Sequence, residues 1–216
     1  MIIMNIIDIT NMRKQKPPST STTTTTVPIT TTTCEPYYTC PDGFTLFIRG
    51  IPWCLKVVLS SNPPIASKDA EELCDALDSS LTNFDNENES ETILDPLSGN
   101  WSITADGRRV VESMNISTYS HESPCLENTT FYFPHYNTDP SFTLANLFSG
   151  QPDSQRATVN GTDYIEACLA VYVAKGTGFN RLYNDVFCDF AISTVDGDVI
   201  YQSYGALCGK KANRNL

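Results

Sequence analysis

The segment FSGQPDS, at residues 148–154, places a proline between an amide and a carboxylate. Proline fixes its own φ and biases the residue before it toward extended conformations, so Gln151, Pro152 and Asp153 form a stiff turn. Two interpretations are open. The segment is either an ordinary surface turn whose side chains have no further role, or a rigid turn that holds two oxygen ligands on the same side of the backbone.

Residues suited to catalysis are few. The chain has two histidines, His121 and His135, both in polar stretches where a histidine is more often a surface residue than a general base. No nucleophile elbow, P-loop or zinc motif is present. The sequence therefore predicts that the protein is not an enzyme.

Cysteines and glycosylation motifs indicate an oxidising compartment. The eight cysteines are an even number without paired CxxC zinc spacing, which favours disulfides over metal thiolates. Five Asn-x-Ser/Thr sequons agree with this interpretation, although a tryptophan inside the second weakens that one. They begin at Asn88, Asn100, Asn115, Asn128 and Asn160. We therefore predict a secreted, extracellular glycoprotein.

Charge and composition exclude other classes of partner. The chain of 216 residues is 40% hydrophobic and carries a formal net charge of -11, which suits one acidic globular domain with a tail. Nucleic acids and anionic membranes need clustered Lys and Arg, and no basic stripe is present. No apolar run approaches the roughly 20 residues of a membrane span.

Composition divides the chain into three parts. Residues 1–16 are an N-terminal segment that is apolar at its start but shows no clear secretory signal, so we expect an incomplete signal or a tail. Residues 17–33 are rich in Thr and Pro and have too little apolar surface to fold, which predicts a disordered, O-glycosylated stalk, with an unmodified linker as the alternative. Residues 34–216 form the predicted domain.

Two helices are predicted in the first half of that domain. In SKDAEELCDALDSSL, Ala70, Leu73, Cys74 and Leu77 recur at helical spacing, with Ser67 as the expected N-cap. A second, shorter helix is expected at residues 88–94, ended by the Asp-Pro pair that follows.

Strands are predicted on both sides of these helices. The run TLFIRGIPWCLKVVL is β-rich and broken at Gly50 and Pro52, which indicates a hairpin. Further β-prone runs start at Glu166, Arg181 and Asp198. Helices followed by strands and irregular loops predict an α+β fold.

These pieces together resemble the C-type lectin-like domain family. The resemblance covers about residues 40–211 and rests on the hairpin with WCLKV, on DAEELCDAL followed by SLTNFDNENE, on GQPD, on Glu166-Ala167-Cys168, on YNDVFC and on the last cysteine. It implies the long form of the fold, with two helices, short antiparallel sheets and long loops stapled by disulfides.

The resemblance also implies the cysteine pairs. They are Cys74 with Cys208, Cys168 with Cys188, and the hairpin pair Cys40 with Cys54. Cys34 and Cys125 remain and are paired by elimination.

The family's principal calcium site implies a role for the proline turn. By resemblance its ligands here are Gln151, Asp153, Glu166, Asn184 and Asp185, and the peptide bond before Pro152 is cis. Calcium is a hard cation that takes six to eight oxygen ligands, which carboxylate and amide oxygens supply. Sugar hydroxyls bind the same ion and the same residues, so the partners are glycans or glycoproteins. The QPD order resembles the galactose-type form.

Some positions depart from the family pattern. Galactose-type members usually carry an aromatic residue soon after QPD that stacks on the sugar, whereas this chain has Ser154, Gln155 and Arg156. The nearest downstream aromatic residue, Tyr164, is therefore the expected sugar-binding aromatic. The Trp of the W-N-D motif is Tyr183. The alternative function is therefore a non-carbohydrate recognition or adhesion module in which an ion is only structural.

Overall fold

A computed structural model of the chain describes residues 37–109, 131–135, 138–152, 156–189 and 203–215. All of these residues belong to one compact unit, Glu35–Leu216. No helix in this described part is long and apolar enough to cross a bilayer. Several predictions lie outside the described residues: the segment 1–16, the stalk 17–33, Cys34, Cys125, His121, Asn115, Asn128, Ser154, Gln155 and Asp153.

Strands account for most of the regular structure. They are β1 (Tyr37–Thr39), β2 (Thr45–Phe47), β3 (Trp53–Leu59), β4 (Ser80–Leu81), β5 (Asn100–Arg109), β6 (Phe131–Tyr132), β7 (Arg156–Val159), β8 (Thr162–Ala174), β9 (Tyr183–Phe187), β10 (Ser203–Lys211) and β11 (Asn213–Asn215). The predicted hairpin is confirmed, because β2 and β3 pair antiparallel on either side of the break at Gly50 and Pro52.

Most strands of the α+β fold join in one large sheet. Nine strands join in it, with the order β2-β3-β10-β5-β8-β7 and with β4, β6 and β9 on the flanks of β10, β5 and β8. The pairing of β10 with β5 is parallel, whereas the other pairs of this sheet are antiparallel. The strands β1 and β11 form a separate two-stranded sheet.

Three helices lie in the described residues. They are α1 (Ala70–Asp75), preceded by a 3₁₀ turn at Ser67–Asp69, then α2 (Glu87–Leu94) and α3 (Ser141–Ala145). The prediction that Ser67 caps α1 is wrong, because Ser67 is the buried first residue of the 3₁₀ turn and its hydroxyl accepts a hydrogen bond from Thr104. Asn86 caps α2 through its side chain. The short helix α3 was not predicted.

Strand β8 runs through the middle of the fold. Its residues from Glu166 to Ala174 are all buried, so this strand is covered on both faces. The main hydrophobic cluster packs against it and includes Tyr183 of β9, which is fully buried. The Tyr183 hydroxyl accepts a hydrogen bond from the Phe84 N–H at 3.3 Å. Tyrosine at this position therefore fills the core and also satisfies a backbone donor.

A close approach in the sheet explains one glycine. A Cβ on Gly209 of β10 would lie 2.4 Å from Nε1 of Trp53 and 2.7 Å from Cγ2 of Thr82. Both distances are shorter than any ordinary carbon contact, so only glycine leaves room for the Trp53 indole and Thr82 beside β10.

Three disulfides cross-link the described residues, and they are the three pairs that the family resemblance implies. They join Cys40 to Cys54, Cys74 to Cys208, and Cys168 to Cys188. The second of these spans 134 residues and fastens α1 to β10. The ends of the domain are thereby tied to its central sheet.

Candidate functional site

The paired strands β8 and β9 carry three of the predicted ligands. In the register of this pair, Glu166 lies opposite Phe187, while Asn184 and Asp185 lie opposite Ala170 and Leu169. Glu166 is 3% exposed and Asp185 is fully buried, whereas Asn184 is half-buried. A bulge lies between Glu166 and Cys168. Two buried carboxylates and a half-buried amide residue thus lie on two neighbouring strands.

The amide oxygen of Asn184 has no hydrogen-bond partner among the described residues. Its Oδ1 atom is buried, and none of the residues that the structure describes donates to it. Most buried side-chain oxygens in folded proteins are satisfied, and leaving one unpaired costs about 1–3 kcal/mol. A metal cation on Asn184 Oδ1 would satisfy it, so the donor set at this position fits calcium.

Backbone hydrogen bonds fasten the proline loop to the first residue of β9. The Tyr183 N–H donates to the Asn146 carbonyl at 2.9 Å, and the Phe148 N–H donates to the Tyr183 carbonyl at 2.8 Å. The Gln151 N–H then closes a turn onto the Phe148 carbonyl at 2.9 Å, with Gly150 at φ +92° inside it. Gln151 is therefore held close to the residue that precedes Asn184.

An aromatic contact supports the same loop. The ring of Phe148 meets that of Phe179 edge-on, with centroids 4.7 Å apart. Phe179 belongs to the turn between β8 and β9. The loop is thus packed on the hairpin that carries the other candidate ligands.

The peptide bond between Gln151 and Pro152 is cis, as the family resemblance implies. The next residue, Asp153, lies outside the described part of the chain, so its place in the set stays a prediction. Gln151 and Pro152 themselves are half-buried.

Carboxylates alone do not form a metal cluster in this region. Among the described residues, no three His, Cys, Asp or Glu side chains form a group that could hold a metal ion. The predicted set depends on the amides of Gln151 and Asn184 as well, and on Asp153. A calcium site here therefore needs the amide oxygens and the proline loop together.

Tyr164, the predicted sugar-stacking residue, lies on β8 two residues before Glu166 and is half-buried. Tyr164 also contributes to the electrostatic environment of Lys68, in the 3₁₀ turn. The pKa of Lys68 is raised chiefly by a hydrogen bond to Asp189, with smaller contributions from Asp69 and Tyr164. A stacking role for Tyr164 stays a prediction.

A buried ion pair lies next to residue 138, which precedes helix α3. The guanidinium of Arg49 makes two contacts with the Glu89 carboxylate, at 2.7 and 2.5 Å, and the two side chains are 6% and 1% exposed. It also donates to the Thr138 hydroxyl at 2.9 Å and to the Asn83 carbonyl at 3.0 Å. The hairpin tip, helix α2 and the loop at residue 138 are thereby fastened together.

The sequence did not indicate this cluster. The partners of Arg49 are 34 to 89 residues away in the chain, and local patterns carry no information about such pairs. The sequence signal was an arginine in a largely apolar hairpin.

The interpretation of His135 as an ordinary surface residue is incomplete. Its Nδ1 lies 3.0 Å from Oδ1 of Asp106, and the two side chains are 29% and 2% exposed. The pair fastens the segment after β6 to β5. Asp139 and Asp163 are exposed acids with local partners: Asp139 accepts from the Ser141 N–H, and Asp163, on β8, accepts from the Thr158 hydroxyl.

The disulfides, the sheet topology and the cis-proline loop beside the Asn-Asp pair of β9 define a C-type lectin-like domain of the α+β class. The family model for C-type lectin domain-containing protein 141/158 matches residues 49–211, and the chain belongs to this family.

Two relatives from Caenorhabditis elegans are similar along most of the chain. C-type lectin domain-containing protein 158 is 27% identical over 190 residues, which is 79% of this chain and 88% of the relative. C-type lectin domain-containing protein 141 is 28% identical over 202 residues, and the match spans 79% of this chain and 65% of that longer protein.

Solved structures of C-type lectin domains are also similar. The carbohydrate-recognition domain of cow CD23, determined in the presence of a GlcNAc2Man3 oligosaccharide, has a TM-score of 0.48 and 15% identity, covering 82% of this chain and 99% of that one. The same domain of the mouse scavenger receptor C-type lectin has a TM-score of 0.48 and 18% identity, covering 81% and 100%. At these values the likeness carries no information about the ligand.

Proposed function

We propose that this domain binds carbohydrate in a calcium-dependent manner, outside the cell, with a preference for galactose-type sugars. The observation that carries the proposal is the buried, unpaired Oδ1 atom of Asn184. It lies in the strand residue next to the fully buried Asp185 and one residue after the anchor of the proline loop. A cation at this oxygen removes the cost of leaving it unpaired.

The proposed ligands are Gln151, Asp153, Glu166, Asn184 and Asp185. Bound calcium would offer coordination positions to two neighbouring hydroxyls of a sugar. The chain's own groups would then fix the orientation of that sugar, because amide N–H groups donate to the hydroxyl oxygens and carboxylates accept from the hydroxyl protons. The order amide, proline, acid in Gln151-Pro152-Asp153 supports the galactose-type arrangement.

Three disulfides support the proposed extracellular location, because such bonds persist in oxidising compartments. Single sugars bind weakly to an open surface site, so we expect multivalent glycans or glycoproteins as the natural partners.

Calorimetric titration of the full chain with calcium tests the proposal. Wild type should bind one ion, and Asn184→Ala and Asp153→Ala should lose it. Asn213→Ala is the matched control, because Asn213 is exposed on β11 in the separate two-stranded sheet, and its calcium binding should equal that of wild type.

Galactose and mannose are then titrated with and without calcium. The proposal requires heats of binding from galactose in the presence of calcium only. Binding of mannose in place of galactose contradicts the specificity alone. If no ion binds to wild type, the proposal fails and a protein-recognition role for the domain takes its place.

A further inference from the structure

The hairpin between β7 and β8 ends in a two-residue turn. Val159 pairs with Thr162 across Asn160 and Gly161, whose φ angles are +51° and +79°. Positive φ at both central positions defines a type I′ turn, for which Asn-Gly is the preferred sequence. Asn160, Gly161 and Thr162 are all exposed. The turn therefore presents a complete Asn-Gly-Thr sequon at the tip of a rigid hairpin.

The two other described sequons are built differently. In the sequon of Asn88, the hydroxyl residue Ser90 is 1% exposed and donates to the Glu87 carbonyl of helix α2. In the sequon of Asn100, Ser102 is 1% exposed on strand β5. N-linked glycans are bulky surface groups, so a sequon that is fully exposed in the folded domain accommodates one most readily. In the described residues, only the sequon of Asn160 exposes both.

The position of this tip relative to the site is fixed by the strands. Glu166 lies five residues after Gly161 on β8, which is about 17 Å at the usual rise per residue. The other strand, β7, begins at Arg156, shortly after Gln151 and Asp153. Four residue pairs and the hydrogen bond of 2.6 Å from Thr158 to Asp163 stiffen the hairpin. Its base pair, Arg156 with Ile165, adjoins the proposed ligand Glu166, and its tip holds the sequon.

We propose that Asn160 carries an N-linked oligosaccharide, and that this glycan stands beside the sugar site and limits access of large ligands; the second part rests on the proposed function. In the modification, the Asn160 amide nitrogen forms a bond to the anomeric carbon of a lipid-linked oligosaccharyl diphosphate. The bond from that carbon to the diphosphate oxygen breaks, the diphosphate leaves with the electron pair, and the nitrogen loses one proton.

Occupancy is measured on the full chain, secreted from insect cells behind a cleavable leader, by mass spectrometry of its glycopeptides. Wild type and Thr162→Ser, which keeps the sequon, should carry sugar on Asn160. Thr162→Ala, which destroys the sequon but leaves Asn160 in place, should carry none there. An unmodified Asn160 in the wild-type protein overturns the proposal.

Access is measured with two probes in calcium. Free galactose should bind wild type and Thr162→Ala with the same Kd, whereas a large galactosylated polymer should associate several-fold faster with Thr162→Ala. Equal association rates overturn the shielding role even if Asn160 is occupied. Loss of galactose binding in all forms refutes the proposed function and with it the shielding, while the glycopeptide masses still decide the modification.

Discussion

Replacement of Arg49 by methionine should destabilise the domain strongly. The change leaves the Glu89 carboxylate, 1% exposed, without its cationic partner. Breaking a buried ion pair from one side costs about 3–5 kcal/mol, because the remaining charge stays buried. For a domain of this size that loss lowers Tm by roughly 6–20 °C.

A second variant separates charge from packing. In Arg49→Met with Glu89→Gln, no buried charge is left, and the amide oxygen of Gln can still accept the N–H of Asp85, which Glu89 Oε2 accepts at 2.8 Å in the wild type. The double variant should therefore be more stable than Arg49→Met alone. Lys68→Met is the control, since both members of the Lys68–Asp189 pair are at least half exposed and such pairs contribute only about 0–1 kcal/mol.

The assay is urea unfolding with the disulfides intact, followed by fluorescence. A loss below about 1 kcal/mol in Arg49→Met would refute the reasoning, because the buried carboxylate would then be tolerated without its partner. A double variant less stable than Arg49→Met would show that the hydrogen bonds of Arg49, and not charge burial, dominate. Arg49 also holds Thr138, which precedes helix α3 and the loop that carries Gln151, so we expect calcium affinity to fall as well.

Three further outcomes are expected. Gly209→Ala should lose about 1–3 kcal/mol through overpacking, whereas Gly178→Ala, with nothing within 4 Å, should unfold like wild type in the same thermal scan. Removal of the Cys74–Cys208 disulfide by paired serine substitution should cost about 5 kcal/mol in urea unfolding, against about 3 kcal/mol for the hairpin disulfide, because its loop is longer. Burial raises the pKa of the Tyr183 hydroxyl, so its contribution to stability is present below about pH 10 and is lost as the pH rises further. The loss of stability with rising pH should therefore be less steep in Tyr183→Phe. Equal dependence of stability on pH in the variant and the wild type would contradict the raised pKa.

Local patterns predicted much of the fold. The break at Gly50 and Pro52 separated β2 from β3, and helix α2 begins one residue before the predicted start. Apolar spacing predicted α1, but a 3₁₀ turn precedes it. In this turn Ser67 is buried and its hydroxyl accepts a hydrogen bond from Thr104. Elements that depend on periodicity and turn residues are therefore readable from the sequence.

Pairings over long distances were not predictable in the same way. Residues far apart in the chain meet in the parallel pairing of β10 with β5 and in the ion pair of Arg49 with Glu89. The sequence around each of these residues does not indicate which distant residue it will contact. The candidate ligands were identified through family resemblance, because Gln151 and Asn184 have no spacing of their own that indicates a common site. Their approach depends on the backbone hydrogen bonds to Tyr183.

The short sheet of β1 and β11 determines how the domain responds to mechanical load. A pull on the chain ahead of Tyr37 first acts on the three residue pairs of this sheet. The next point of resistance is the disulfide between Cys40 and Cys54. Cys54 belongs to β3 and is fully buried. Strand β3 pairs with β10 over seven residues, so the force spreads into the central sheet. The terminal sheet can peel away under tension while β8 and β9, which carry the candidate ligands, keep their shape.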